Sequence, residues 1–239
     1  MNTNSTSLTS KISVPLRFIR QKALANPLWQ YRTSIGLKRK LSIPFPPPQA
    51  AIPLALRELK HSDIPLILSS DFSMHSRQER REIEARRKLI DQNIARCFVA
   101  IDQATGYPCF IQWLFTAEQN DFIETFFRGR FPRLSPDQGL LECAYTPRNY
   151  RGKGIMPATM ALIAELAPSF GLSELITFVD HNNLPSLKGC AKAGFIPFLT
   201  RKDVTIFSAF KRRRFVPLPP PPHVPSRSST LATSKERSL

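Results

Sequence analysis

The chain has 239 residues, with 34 Lys and Arg against 18 Asp and Glu, 22 prolines and a formal net charge of +16. No apolar run approaches the ~18 residues of a membrane-spanning helix, and the four scattered cysteines (Cys97, Cys109, Cys143, Cys190) form no CxxC pair, which argues against a disulfide framework or a zinc site. Eight cations and no acid lie in residues 1–51, and seven cations with one acid in 211–239, which leaves +2 for 52–210 and disfavours a polyanion-binding core.

In chain order, residues 16–40 read as a short basic amphipathic helix broken by Pro27, inside a flexible basic extension covering 1–51. "PFPPPQAAIP" (44–53) reads as an extended spacer. A strand is expected over 54–59, then a short helix over 61–70 capped by Ser62 or Asp63. Residues 74–93, rich in Arg and Glu and free of Gly and Pro, predict a longer helix. "RCFVAID" (96–102) and "CFIQWLF" (109–115) flank a "QATGYP" turn as a hairpin. Residues 117–137 read as irregular, with Phe122, Phe126, Phe127 and Phe131 among arginines. "GLLECAYT" (139–146) is apolar on both faces apart from Glu142, as a buried strand would be. A helix is expected over 154–170, a strand over 173–180, a helix over 183–193 stopped by Gly194, and a last strand over 203–210. A Pro/Ser-rich tail follows from 215 to 239. The order of elements predicts an α/β fold around a mixed sheet, with the core domain over 52–214.

The stretch "RNYRGKGIMPATM" (148–160) follows a strand and opens a helix. The first amides of a helix lack intrahelical partners and lie at the positive end of its dipole, so they suit a phosphate. Gly152 and Gly154 let the backbone turn and approach closely, while Arg148, Arg151 and Lys153 add charge. Neither GxxxxGK[ST] nor a complete GxGxxG is present, which disfavours the two nucleotide folds those patterns mark.

"RGKGIM" (151–156) resembles motif A of the GNAT acyltransferase superfamily, [QR]-x-x-G-x-[GA], and "NNLPSLKGCAKAGF" (182–195) resembles the same family's motif B. "LALRELKHSDIPLI" is similar to its first strand and helix, so the resemblance runs in consistent order over about residues 52–210. It implies a mostly antiparallel GNAT-like sheet flanked by helices, with disordered basic and Pro-rich tails, and acetyl-CoA or another acyl-CoA as co-substrate without a metal. The amides of Gly152, Lys153, Gly154, Ile155 and Met156, with Arg151 beside them, would hold the pyrophosphate. The backbone of Ala144, Tyr145 and Thr146 would pair with the pantetheine arm as an added strand, and Asn183 with Ser186 would meet the far side of the coenzyme. Two positions depart from the pattern: Met156 stands where Gly or Ala is usual, and Cys190 where many members place a tyrosine that protonates the leaving thiolate. Cys190 is therefore either that acid or a packing residue.

Glu142 is the ionisable residue of the central apolar strand and the candidate base, the alternative being a pair with Arg148 or Arg130; Glu124 and His75 are weaker candidates. The expected acceptor is a small-molecule or peptide amine, and the resemblance implies its entry near residues 71–95 and 117–137; arginines 77, 80, 81, 128, 130 and 133 there either select an anion or only solvate the surface, while the phenylalanines favour an apolar body. The function expected is direct transfer of an acetyl group to an amine. The alternatives are an inactive coenzyme-A-binding or interaction module, and nucleic-acid association through the basic tails. No specific nucleic acid is expected as a partner. The reduced thiols suggest a cytoplasmic protein, although residues 1–51 also have the composition of an organelle transit peptide.

Overall fold

A computed structural model describes residues 29–69, 73, 75–94, 96–206 and 210–219. Eight strands form one sheet among these residues: β1 (Trp29–Lys40), β2 (Leu54–Glu58), β3 (Arg96–Asp102), β4 (Pro108–Phe115), β5 (Gln138–Tyr145), β6 (Glu174–Asp180), β7 (Ile196–Ile206) and β8 (Phe210–Pro217). Their order is β2-β3-β4-β5-β6-β1-β7-β8, antiparallel throughout except for β5 with β6. The helices are α1 (Ile64–Ile67), α2 (Arg77–Ile90), α3 (Asn120–Phe126), α4 (Ile155–Leu166) and α5 (Leu184–Lys192). The expected mixed, mostly antiparallel sheet flanked by helices is thus present.

Alternating strand residues divide the core into two layers. Val99, Ile111, Trp113 and Phe115 pack with Ile67, Ile83, Leu89 and Ile123, so α1, α2 and α3 cover one face. Phe98, Leu114, Leu141 and Leu175 pack with Met160, Ile163 and Cys190, so α4 and α5 cover the other. Local signals account for some element starts. Ser76 accepts from the Glu79 amide while Glu79 accepts from the Ser76 amide, a reciprocal cap on α2. Asp63 takes the Lys60 amide at 2.8 Å and a bidentate Arg57 at 2.6 and 2.8 Å.

Four expectations need correction. Residues 29–40, expected in a basic helix, form β1 between β6 and β7; the rest of that helix lies outside the described residues. Tyr31, Thr33, Ile35 and Leu37 alternate with polar residues, a period of two that the cations obscure. Residues 117–137, expected to be irregular, contain α3, which follows a Thr116–Gln119 capping pair. The final strand is longer and doubled, with β7 starting at Ile196 and β8 carrying the sheet through Lys211–Arg214 to Pro217, past the expected end at 210.

The proline segment is packed on the domain rather than acting as a free spacer. From β1, residues 41–53 run over α5 and α4 to β2, held by Leu41 N–H to Ser173 O and Ala51 N–H to Lys153 O, both 2.8 Å. Pro47, Pro48 and Ile52 share a groove with Ala158 and Leu162 of α4. Arg39, 8% exposed, donates to Ala193 O at 2.8 Å at the end of α5 and lies 5.6 Å from the Phe45 ring. Gly194 has φ +83°, and a Cβ there would come within 2.8 Å of that ring. Gly194→Ala is therefore expected to destabilise the fold by about 1–3 kcal/mol, combining left-handed strain with a ring clash; denaturant unfolding would measure it.

Candidate active site

The parallel strands β5 and β6 pair only at Gln138–Leu140 with Glu174–Ile176 and separate beyond. The β4–β5 register shifts between Ile111 and Trp113, and Cys143 takes φ +59°, so β5 bulges opposite Gln112. The result is a cleft of about 750 Å³ between β5, β6 and the N-terminal ends of α4 and α5. Its lining includes Glu142, Ala144, Tyr145, Thr146, Arg151, Gly152, Gly154, Ile155, Met156, Asn183, Ser186 and Cys190. Of the residues expected to hold the coenzyme only Lys153 is outside the lining; its ammonium lies 5.0 Å from the Tyr150 ring.

Glu142 spans the split. One carboxylate oxygen accepts from the Phe178 amide of β6 at 3.0 Å and the other from the Cys143 amide at 3.4 Å. Burial pushes its carboxyl up to about 7, against the partial compensation of those amides and of the Arg201 and Arg86 charges. Neither Arg148 nor Arg130 forms an ion pair with it; Arg148 pairs with Glu79 at 2.9 Å. Arg151 also reaches Glu79, at 3.3 Å, and donates to Thr146 O at 3.0 Å. Two of the three loop cations are thus engaged with α2. The Ser76 amide and hydroxyl, with the Arg148 guanidinium, hold the Glu79 carboxyl down at about 2.

A depressed carboxyl contributes stability above its unfolded value, which is lost as pH falls through the folded one. Stability is therefore expected to fall between pH ~4.5 and ~2, and less steeply in Glu79→Gln; thermal melts across that range would show it.

At the other end of the cleft, Gly152 and Gly154 have φ +80° and +70°. Among the described residues the amides of Gly152, Lys153 and Gly154 donate to no acceptor of the chain, and the first turn of α4 leaves those of Ile155 and Met156 unpaired as well. Five adjacent amides at a helix start fit a diphosphate. Met156 packs across to α5, where a Cβ on Gly189 would lie 3.4 Å from its terminal methyl. Asn183 caps α5 by accepting from the Ser186 amide at 3.2 Å, which leaves its amide nitrogen for a ligand. Cys190 is fully buried, and burial pushes its thiol up to about 12.

Several lining residues were not anticipated. Arg86 of α2 donates to Cys143 O at 2.9 Å and Ala144 O at 2.6 Å, fixing the bulge, and lies 5.3 Å from the Tyr145 ring. Lys188 and Lys192 bring charge from α5. Gln112 is 1% exposed, lines the cleft, and has a side-chain oxygen without a partner in the chain; a Gln inside "CFIQWLF" is the signal that points to it. Glu124 is at the surface with Arg133 at 3.4 Å, and neither it nor His75 lines the cleft.

The acetyltransferase (GNAT) family model matches residues 67–195, from α1 to the residue after Gly194. The chain belongs to the GNAT acetyltransferase family. Among solved structures, this GNAT chain is similar to the glucosamine N-acetyltransferase region of a fungal multi-domain β-N-acetylglucosaminidase. The identity is 13% and the TM-score 0.52, over 80% of this chain and 23% of that one. A GNAT-family acetyltransferase of Colwellia psychrerythraea is 14% identical at a TM-score of 0.49, over 81% of this chain and 62% of that one. The chain thus spans less than two thirds of these structures, and at such identities the likeness is one of fold. No curated protein matches it. No group of His, Cys, Asp and Glu among the described residues could hold a metal ion, and no described helix is long and apolar enough to cross a membrane.

Proposed function

We propose that the protein is an acyl-CoA-dependent N-acyltransferase that passes an acyl group, acetyl first of all, directly to an amine. The observation that supports it most is one cleft with unpaired helix-start amides at one end and, on its wall, the Glu142 carboxyl, which burial pushes up to about 7. The coenzyme supplies an acyl group activated as a thioester. The amides of Gly152 to Met156 hold its pyrophosphate, and the charges of Lys188 and Lys192 add to the attraction. The β5 backbone from Ala144 to Thr146 orients the arm. The Ala144 and Thr146 carbonyls already accept from Arg86 and Arg151, so the arm shares their second lone pairs or uses the amides. Asn183 and Ser186 contact its far side.

Glu142 takes the proton from the attacking nitrogen as the N–C bond forms and the C–S bond breaks, and the coenzyme departs as a thiolate that takes its proton from solvent. At pH 8 a carboxyl of about 7 is mostly ionised, yet far more basic than an exposed one. The acceptor is an amine of small-molecule or peptide class. A free-thiol release assay with acetyl-CoA over pooled amines, amino acids, polyamines and peptides tests the activity. No thermal shift with millimolar acetyl-CoA would sink the proposal.

Cys190 supports a second reading, a coenzyme-binding module without turnover, because a thiol held at about 12 in the core is a reluctant proton donor. If Cys190 only packs, Cys190→Ala leaves thiol release within about twofold, whereas a proton-donor role predicts a loss of tenfold or more. Coenzyme binding without release on any acceptor would favour the inactive module.

A further inference from the structure

The outer strands carry a second chemical feature, remote from the cleft. Directly opposed residues of antiparallel strands share a face, and the registers of β1, β7 and β8 give three consecutive rungs. These are Tyr31–Val204–Arg212, Thr33–Lys202–Arg214 and Ile35–Thr200–Val216. Lys202, Arg212 and Arg214 are exposed, Tyr31 is 59% exposed, and none of the three cations forms an ion pair among the described residues. The opposite face of the same strands is arranged differently: Asp203 takes both Arg201 and Arg213, at 3.0 and 2.5 Å.

Asp203 is the single acid in the three strands, and it points away from the open face. Lys202 and Arg214 are therefore a directly opposed pair of like charges, an arrangement that costs stability unless an anion lies between them. Arg212 and Arg214, two residues apart on one strand, repeat at ~6.7 Å, close to the separation of successive phosphates in an extended strand. Tyr31 adds a flat ring one rung along from the Lys202–Arg214 pair.

We propose that this face binds single-stranded nucleic acid, with Lys202, Arg212 and Arg214 on successive phosphates and Tyr31 stacking on a base. A basic track interleaved with an aromatic platform is the general chemistry of single-strand binding without sequence preference. The surface belongs to the folded sheet, which separates this from association through the terminal flanks, and it is independent of the acyltransferase reading.

The test is fluorescence anisotropy of the full chain with a labelled 20-nucleotide oligouridylate, titrated at several salt concentrations. Combined substitution of Lys202→Gln, Arg212→Gln and Arg214→Gln should weaken binding at least tenfold and reduce the salt slope by about 2, at ~0.7 per phosphate lost. Tyr31→Ala should weaken it about fivefold or more with the slope unchanged, and Tyr31→Phe should restore it. Melting temperature should stay level or rise in the triple variant, because a repulsive pair is removed. Unchanged affinity and slope in the triple variant would overturn the proposal, as would equal affinity for duplex of the same length or for polyglutamate.

Discussion

Glu142→Gln is expected to lower kcat/KM for acyl transfer by about 10²–10³-fold while leaving acyl-CoA affinity within a few-fold. The amide keeps the shape and can still accept from the Phe178 amide, so β6 stays tethered across the split. What it loses is a site that binds and releases a proton. In the parent protein kcat/KM should rise through an acid limb near pH 7, and in the variant that limb should vanish, leaving only the titration of the acceptor amine. Stability should move the other way. A carboxyl raised from ~4.5 unfolded to about 7 folded favours folding fully below the lower value and loses that contribution as pH rises through the upper one. The glutamine variant should thus melt higher than the parent at pH 8, and the difference should shrink toward pH 5. A variant that melts lower at pH 8 but keeps the acid limb would make Glu142 a strand tether and nothing more.

Gly154→Val is expected to weaken acyl-CoA binding by about 10–100-fold, an effect of ~1.4–2.8 kcal/mol. Gly154 has φ +70°, and a Cβ there would come 3.1 Å from the Gln49 carbonyl of the proline segment. A branched side chain both resists the left-handed conformation and pushes against that segment, so the loop must rotate and its amides lose their common direction. Gly152→Ala provides a graded comparison: φ is +80°, but no atom lies within 4 Å of the added Cβ. Strain without a clash should cost less, about tenfold at most. Coenzyme-dependent thermal shifts would rank the two, and equal losses would remove the Gln49 contact from the explanation.

The central half of the molecule was readable because its signals are local. The hairpin of β3 and β4, the glycine turn into α4 and the Asn183 cap of α5 each need only a few adjacent residues. Glu142 was readable for a similar reason, as a charge within an apolar run. The bulge at Cys143 was not, since it depends on the offset between β4 and β5, which no single segment records. Arg86 was hidden among the six cations of α2; only the packing of Ile83 and Leu89 turns it toward β5. In β1 the density of Lys and Arg suggested a basic helix, whereas strand pairing satisfies the backbone and lets one face shed its charge into water. Met156 departs from the family pattern, and the structure places its side chain against α5, on the wall of the cleft.

The position of β1 has a consequence for how the chain reaches this fold. Its partners run from Glu174 opposite Lys40 to Ile206 opposite Trp29, so the two seams that join the halves of the sheet close loops of well over a hundred residues. During synthesis β1 emerges early and must wait, unpaired and strongly basic, until β6 and β7 have left the ribosome. The hairpin of β3 and β4 can form long before, while the sheet beyond β6 is completed last. Folding is therefore expected to show an early phase in the β2–β5 half and a slower one as β1 docks, with the proline segment settling over α4 and α5 in the same late step.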